Sequence, residues 1–471
     1  LDTWHNSGAA PYARFTDEEF GKFVPTDFLT EGIDQTRGWA NSLLLEHIIL
    51  TGKPAGPYRA FLFQGLTQDA KGRKMSKSLG NVVETSKLLE KNSADLCRFY
   101  MMRKCSPIDF MNFDMQELNR RPYQVLSTLY HLSRFFLQNA TFDEFKAEVY
   151  TLDWAFKAAK LQPVDLWLLS KLQDKIEEYT IKLDRCEFNG AVAVLDDFVI
   201  ETLSRLYVPM IRKELWTDEP ETFERRQTVY SLLHHTLKTV TMLFNPVTPY
   251  LSEALYQKIY RQLEPSLPES VNLAAWPNVD EKIRNQNLEE QFDVLLKVVS
   301  IAYAARNQGK LKRRWPLSKV IVVAPEKIMQ SLKTLEALLL ELTNVKAVDY
   351  AVVVPEYVGG ENWVSSQEGD ITVFISGKRD EKLLGEGIMR DLARRVQALR
   401  KEMGFVPTEV LESAHIAELD TESMGLLEPY LVEMADLVRA RKVYLQKSRS
   451  EVEADWHLSE LDGKKIFINI H

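Results

Sequence analysis

The 471-residue sequence predicts a multidomain protein, α/β at both ends with an all-α stretch between them. Three observations carry that reading. Tyr58-Arg59-Ala60-Phe61-Leu62-Phe63 is a near-continuous apolar run preceded by a helical repeat, the pattern of a strand buried on both faces of a parallel sheet. Between Arg120 and Pro249, apolar residues recur three and four apart over long segments, as packed helices require. Beyond Lys319, short apolar runs alternate with helical-period segments, which is α/β again.

Composition sets the outer limits. With 45% hydrophobic and 27% charged residues, the chain is globular and long enough for several domains. It has no run of about 18 apolar residues, so no membrane-spanning helix is expected. Cys97, Cys105 and Cys186 are too few and too scattered for a disulfide framework or a Cys-x-x-Cys zinc site, and a reducing, cytoplasmic setting is expected. A net charge of −8 argues against a generally basic coat for nucleic acid, although local basic patches can still bind RNA.

In chain order, Trp4-His5-Asn6-Ser7-Gly8 opens a loop-rich approach, and Trp4 taken alone reads as core packing. The string Glu31-Gly32-Ile33-Asp34-Gln35-Thr36-Arg37-Gly38-Trp39 then gathers acid and amide groups at the start of a helix. Ala40, Leu43, Leu44 and Ile48 form that helix's apolar face, Asp34 or Thr36 is the expected cap, and Gly52 and Pro54 end it. Glu31, Asp34 and Gln35 can bond ribose hydroxyls or an α-amino group, and the same cluster is also what an ordinary charged cap looks like. His47, on the apolar face, is expected in the core. Gln64-Gly65 lies just past the carboxyl end of the apolar strand. Open α/β sheets bind ligands there, and a glycine lets backbone approach an adenine or ribose.

From Gln64 to Asn81, Lys71, Arg73, Lys74 and Lys77 crowd one segment flanked by Gly72 and Gly80. Several cations on a mobile backbone suit a polyphosphate. Attack on the α-phosphorus of a nucleoside triphosphate builds charge on the departing pyrophosphate, and cations there stabilise the transition state above the ground state. By charge and glycine alone the segment is equally a solvated basic hairpin.

Ser93 is placed to cap a helix from Ala94 to Met102. Helix faces follow at Leu169, Leu172, Ile176, Tyr179 and Leu183, at Phe188, Val192, Leu195 and Val199, and at Val229, Leu232, Leu233, Leu237 and Val240. Polar, proline-marked residues from Asn278 to Asn287 read as a linker. Lys310, Lys312, Arg313 and Arg314 precede Trp315, a grouping that fits either an RNA phosphate with a stacked base or a solvated basic turn. Lys319–Ala324, Val345–Val354 and Ile371–Ile375 read as strands. Ile328, Leu332, Leu335, Leu339 and Leu342 read as one helix face, and Ile388, Leu392, Val396, Leu399 and Met403 as another. Arg390, Arg394, Arg395, Arg400 and Lys401 would lie on the opposite side of that last helix, facing RNA or water.

Lys74-Met75-Ser76-Lys77-Ser78 matches the KMSKS signature of class I aminoacyl-tRNA synthetases at every position. Together with Trp-x-x-Ser-Gly at Trp4, the Glu31 to Trp39 string and the final Gly80-Asn81, the order resembles isoleucyl-tRNA synthetases in particular. The resemblance implies a partial Rossmann-like nucleotide-binding domain with a connecting region (1–118), a helical anticodon-binding bundle (119–287) and a carboxyl-terminal α/β domain able to touch tRNA (288–471). It implies an ATP- and Mg²⁺-dependent ligase that activates isoleucine to its adenylate and loads tRNA(Ile). Lys74 and Lys77 would be catalytic, with Lys77 and Ser76 at the ATP phosphates and Gly65 against the adenosine. Glu31, Gly32, Asp34 and Gln35 would contact the adenylate, and Trp4 and Trp39 would wall the isoleucine side chain.

Some features depart from the family pattern. His5-Asn6 stands where the family commonly has Phe-Asp, and Gln64 where it commonly has His. The His-x-Gly-His signature and the editing insertion, which in the family precede the first residue here, are absent. The chain therefore resembles a carboxyl-terminal half that is expected to be inactive without its amino-terminal half. The competing readings are a non-catalytic tRNA-binding protein derived from a synthetase, and a valyl-type relative.

Overall fold

The computed structural model describes residues 2–215, 219–358, 360, 362–406, 409–449, 455–461 and 463–471. The chain divides into two compact units, residues 1–284 and 285–471.

In the first unit, strands β1 (Thr26–Gly32) and β2 (Tyr58–Gln64) run parallel, with Glu31 opposite Phe63 and Gly32 opposite Gln64. Parallel neighbours need a crossover, and the helix Trp39–Thr51 supplies it. Ala40, Leu43 and His47, three and four apart, are its buried stripe, and Gly52 ends it in the left-handed region at φ 67°. His47 packs inside as expected, its ring nitrogen 2.7 Å from the Tyr12 hydroxyl.

Two local expectations fail. Asp34 and Thr36 lie in a short 3-10 turn, Ile33–Thr36, and it is the Gln35 side-chain oxygen that accepts from the Trp39 N–H, at 3.4 Å. Strand β2 is half-exposed instead of buried on both faces. Among the described residues its sheet has only two strands, so β2 has one ladder neighbour where a central strand has two. Arg59 is left to pair on the surface with Asp27, while Phe61 and Phe63 stack with ring centroids 4.5 Å apart. Two residues on, β3 (Thr67–Asp69) pairs in parallel with β4 (Met111–Phe113). Ser93 caps the helix Ala94–Lys104 by accepting from the Leu96 N–H at 3.2 Å.

Long helices follow at Arg121–Phe142, Pro163–Asp184, Phe188–Asp197 and Phe223–Phe244, the third continuing with wider, π-type winding over Phe198–Tyr207. The periodic residues Leu169, Leu172, Ile176, Tyr179, Val192, Leu195, Val199, Val229, Leu232, Leu233, Leu237 and Val240 are all buried, whereas Leu183 and Phe188, at helix ends, are half-buried. Each such buried side chain contributes about 1.5–3 kcal/mol by leaving water. Charged groups inside the bundle are tied together: Asp143 takes Arg226 and the Tyr230 hydroxyl, and Asp165 takes Arg225 and the Tyr207 hydroxyl.

His234 and His235 lie on the helix Phe223–Phe244, His234 among the rings of Phe136, Phe145 and Tyr260. Burial first, and then the Lys238 charge, pushes both imidazoles down, His235 to about 4. The unfolded chain, with imidazoles near 6.5, binds more protons below that pH than the folded one. Stability is therefore whole above about pH 6.5 and is lost as pH falls toward about 4. Thermal unfolding of this unit should come at a lower temperature at pH 5 than at pH 7.5, and an unmoved transition would place both imidazoles in water.

In the second unit, β5 (Leu317–Val323), β6 (Val345–Ala351), β7 (Trp363–Glu368) and β8 (Ile371–Ser376) form a mixed sheet in the order β6-β5-β8-β7. A second sheet holds β9 (Ala414–Ala417), β10 (Val443–Gln446), β11 (His457–Leu461) and β12 (Lys464–Ile470) in the order β10-β9-β12-β11. The helix Gln286–Gln308 starts inside the expected linker and packs on β7 and β8. The single helix expected over Ile328–Leu342 is two, Glu326–Lys333 and Glu336–Thr343. The helix Glu381–Glu402 buries Ile388, Leu392, Val396 and Leu399 as expected, whereas Met403, just past its end, is exposed.

The basic groups of this unit differ from their sequence reading. Trp315 is only 5% exposed, donates its indole N–H to Asp391 at 2.9 Å, and has Lys312 and Arg379 each 4.8 Å from its ring centroid. A base has no face left on which to stack. Arg306 is fully buried, its guanidinium donating to the carbonyls of Lys312, Trp315, Thr343 and Asn344. Arg400, expected on the outer face, is also buried and donates to the carbonyls of Val438, Arg439 and Glu409.

Candidate active site

The candidate residues Glu31, Gly32, Asp34, Gln35, Trp39 and Gly65 sit at or just beyond the carboxyl ends of β1 and β2. Glu31 and Gly32 close β1, the turn Ile33–Thr36 carries Asp34 and Gln35, and Trp39 opens the crossover helix. Asp34, Gln35 and Trp39 are joined by direct bonds. Gln35 donates to the Asp34 carboxylate at 3.0 Å while its oxygen receives Trp39, so both ends of the amide are used. Trp4, on the helix Thr3–Gly8, rests against Gly38: a Cβ built on that glycine would come within 3.0 Å of the indole. Trp39 donates its indole N–H to the Ser7 carbonyl at 3.0 Å and meets Phe61 of β2 edge-on. The two tryptophans thus flank one short stretch, Trp4 being 47% exposed and Trp39 half-buried.

Gly65 directly follows β2 and donates its N–H to the Pro107 carbonyl at 2.9 Å. A Cβ there would stand 2.0 Å from the Asp109 carbonyl oxygen, so the close approach of these two chain segments already demands the glycine. Beside it lies a cavity of about 340 Å³, bordered by Gln64 and Gly65 and walled by Met101, Met102, Cys105 and Phe188. Burial, with the nearby Asp109 charge second, pushes the Cys105 thiol up, which keeps it protonated and unreactive.

The lysine-bearing loop springs from β3. Lys71, Lys74 and Lys77 are exposed, and their ammonium groups have no hydrogen bond or ion pair among the described residues, nor does one link them to Glu31, Asp34 or Gln35. Lys77 opens a 3-10 turn, Lys77–Leu79, capped by Ser76, whose hydroxyl accepts from the Leu79 N–H at 3.3 Å and lies 3.1 Å from that of Ser78. Gly72 and Gly80 both take left-handed conformations, φ 75° and 64°, as expected for turns that a side chain would strain.

Sequence reading gave no role to the residues that hold this loop. Asp69 is buried, and its carboxylate accepts from the N–H groups of Lys71 and Arg73, the Arg73 guanidinium and the Asn81 amide, all at 2.8–3.0 Å. The Asn81 hydrogen bond first, and then the Arg73 amide, hold the Asp69 carboxyl far below the usual carboxylate range. The available signal was an acid three residues before Gly72, as tight turns favour.

Residues 1–114 match the family described as tRNA synthetases class I (I, L, M and V). Residues 165–321 match the anticodon-binding domain of tRNA ligase. The isoleucine–tRNA ligase of Pyrobaculum aerophilum is 34% identical over 100% of this chain and 46% of its own length. That of Methanosarcina mazei is 32% identical over 97% of this chain and 41% of its own. The chain thus spans less than half the length of these relatives. A looser likeness is to the LeuRS of Agrobacterium radiobacter K84, with a TM-score of 0.46 and 19% identity over 60% of this chain and 33% of the other. A class I tRNA synthetase model and a tRNA-ligase anticodon-binding model thus match different stretches of the chain, and its similarity to isoleucine–tRNA ligases runs along its length.

Proposed function

We propose that this chain is the part of an isoleucine–tRNA ligase that supplies the phosphate-binding loop and the tRNA-binding bundle. The observation that carries the reading is the loop 69–81: a tied base at the carboxyl end of β3, in the parallel pair β3–β4, presenting Lys74 and Lys77 ammonium groups that have no partner among the described residues. ATP would enter as its Mg²⁺ complex. The carboxylate of isoleucine attacks the α-phosphorus, the bond to the bridging oxygen breaks, and pyrophosphate leaves with the bonding pair. Lys77 then neutralises charge on the leaving group, Lys74 supports it from the same loop, and Ser76 holds the turn between them. Glu31, Gly32, Asp34 and Gln35 would receive the adenylate, Gly65 its adenosine, and Trp4 and Trp39 the isoleucine side chain.

In this reading residues 1–118 are the nucleotide-binding part, 119–287 the anticodon-binding bundle and 288–471 a further α/β domain that can contact tRNA. A cytoplasmic setting fits, and no helix among the described residues is long and apolar enough to cross a membrane.

The bundle helices from Arg121 to Phe244 lie in the first unit, which gives a direct test. The 471-residue chain should bind tRNA(Ile) in filter binding or anisotropy, with affinity falling about ten-fold or more between 50 and 200 mM salt as phosphate contacts release counterions. No binding at low salt would remove the bundle from tRNA recognition.

A further inference from the structure

The bonds at the base of the lysine loop assign work to two residues outside the signature string. The Asn81 side chain spends both of its amide hydrogens, one on the Asp69 carboxylate at 3.0 Å and one on the Lys74 carbonyl at 3.1 Å, while its oxygen accepts the Ser76 N–H at 2.9 Å. It therefore fixes the backbone on both sides of Met75. Asp69 gathers the other end, taking the N–H groups of Lys71 and Arg73 and the Arg73 guanidinium, while its own N–H donates to the Arg73 carbonyl at 2.9 Å. One carboxylate and one amide thus tie residues 71, 73, 74 and 76 to a single point. Lys74 and Lys77 project from the tied segment three residues apart, with Ser76 capping the turn that carries Lys77.

We propose that Asp69 and Asn81 are positioning residues for the phosphate-binding lysines. Their clasp sets the spacing of the Lys74 and Lys77 ammonium groups before any nucleotide arrives, so that two adjoining phosphate groups meet both cations without first ordering a floppy loop. The gain is the one preorganisation always gives: conformational entropy is lost on folding and not in the transition state. Without the clasp, the two glycines in left-handed turns and the exposed lysines leave the segment little to hold it. The inference rests on the proposed role of the loop in adenylate formation, and its test has one arm that does not.

That arm is limited trypsin digestion of the chain, because Lys71, Arg73, Lys74 and Lys77 are all trypsin sites. N81A deletes the three Asn81 bonds and should raise the rate of cutting within 71–77 about ten-fold, with cutting elsewhere and the melting temperature unchanged. The exchange D69N/N81D restores one donor facing one acceptor and should recover much of the lost protection, whereas N81D alone sets two carboxylates against each other and should be cut fastest. The second arm is isoleucine-dependent ATP–pyrophosphate exchange by the complete enzyme. There N81A should lower kcat and weaken ATP while leaving the KM for isoleucine unchanged, a split that general destabilisation would not give. Parental cutting rates in N81A and N81D would overturn the clasp whatever the activity shows. Increased cutting with unchanged exchange kinetics would overturn its positioning role. A parent enzyme without exchange activity would instead remove the proposed function and leave the digestion result standing.

Discussion

Lys77→Ala in the complete enzyme should slow isoleucine-dependent ATP–pyrophosphate exchange by about 10²–10³, the usual effect of removing one group aimed at charge that develops in the transition state. Isoleucine binding, measured separately, should hardly change, because the amino acid carries none of that charge. The structure makes the experiment clean. The Lys77 side chain is exposed, makes no bond to another described residue, and sits on a turn whose cap is the Ser76 hydroxyl, so its loss costs the fold nothing that a melting curve would register. Equal exchange rates in variant and parent would take Lys77 out of the reaction.

The largest stability effect should come from Asp165→Ala, at the start of the helix Pro163–Asp184. The fully buried Asp165 carboxylate accepts from the Gln162 N–H at 2.8 Å, the Tyr207 hydroxyl at 2.9 Å and the Arg225 guanidinium. Removing it strands a buried hydroxyl and deprives a largely buried guanidinium of one of its two carboxylates, Glu214 being the other. Breaking one side of a buried ion pair costs about 3–5 kcal/mol, and Glu214 keeps the expected loss near the lower figure. Tyr207→Phe, which removes a single hydrogen bond to the same carboxylate, should cost about 1.5–3 kcal/mol. Urea unfolding of the first unit's transition measures both, and an Asp165→Ala variant no less stable than Tyr207→Phe would contradict the network.

These cases show what the residues disclosed on their own. The long helices were legible because Leu169 to Tyr179 and Val229 to Val240 keep their apolar spacing through buried positions, and burial of one stripe is what such a pattern encodes. The helix Gln286–Gln308 carries a comparable stripe through Phe292, Leu295, Val299 and Ala302, yet its first turn lies inside a polar, proline-marked segment that reads as a linker. Strands β7 and β9 to β12 are mixed in polarity, and the pairing of β9 with β10 and β12 is set by partners far along the chain.

The site was legible as a string of residue types, since Glu31 to Trp39 and Lys74 to Ser78 are contiguous in sequence. What fastens the site was not. Asp69 and Asn81 are twelve residues apart and meet only when the loop folds back, Trp39 reaches Ser7 across thirty-two residues, and nothing in sequence separates a buried arginine such as Arg306 from a solvated one. The basic cluster before Trp315 shows the same limit. Charge beside an aromatic fitted either an RNA contact or a solvated basic turn, whereas the indole is enclosed by Lys312, Arg379 and Asp391.

The central claim is that the loop 69–81 serves isoleucine activation. Pyrophosphate exchange by the complete enzyme, run with isoleucine, valine, leucine and methionine in turn, tests it most directly. The account predicts exchange that depends on ATP and Mg²⁺, is strongest with isoleucine, and is lost in Lys77→Ala. Exchange strongest with another amino acid, or no exchange with any of the four in an enzyme that still binds tRNA(Ile), would contradict it.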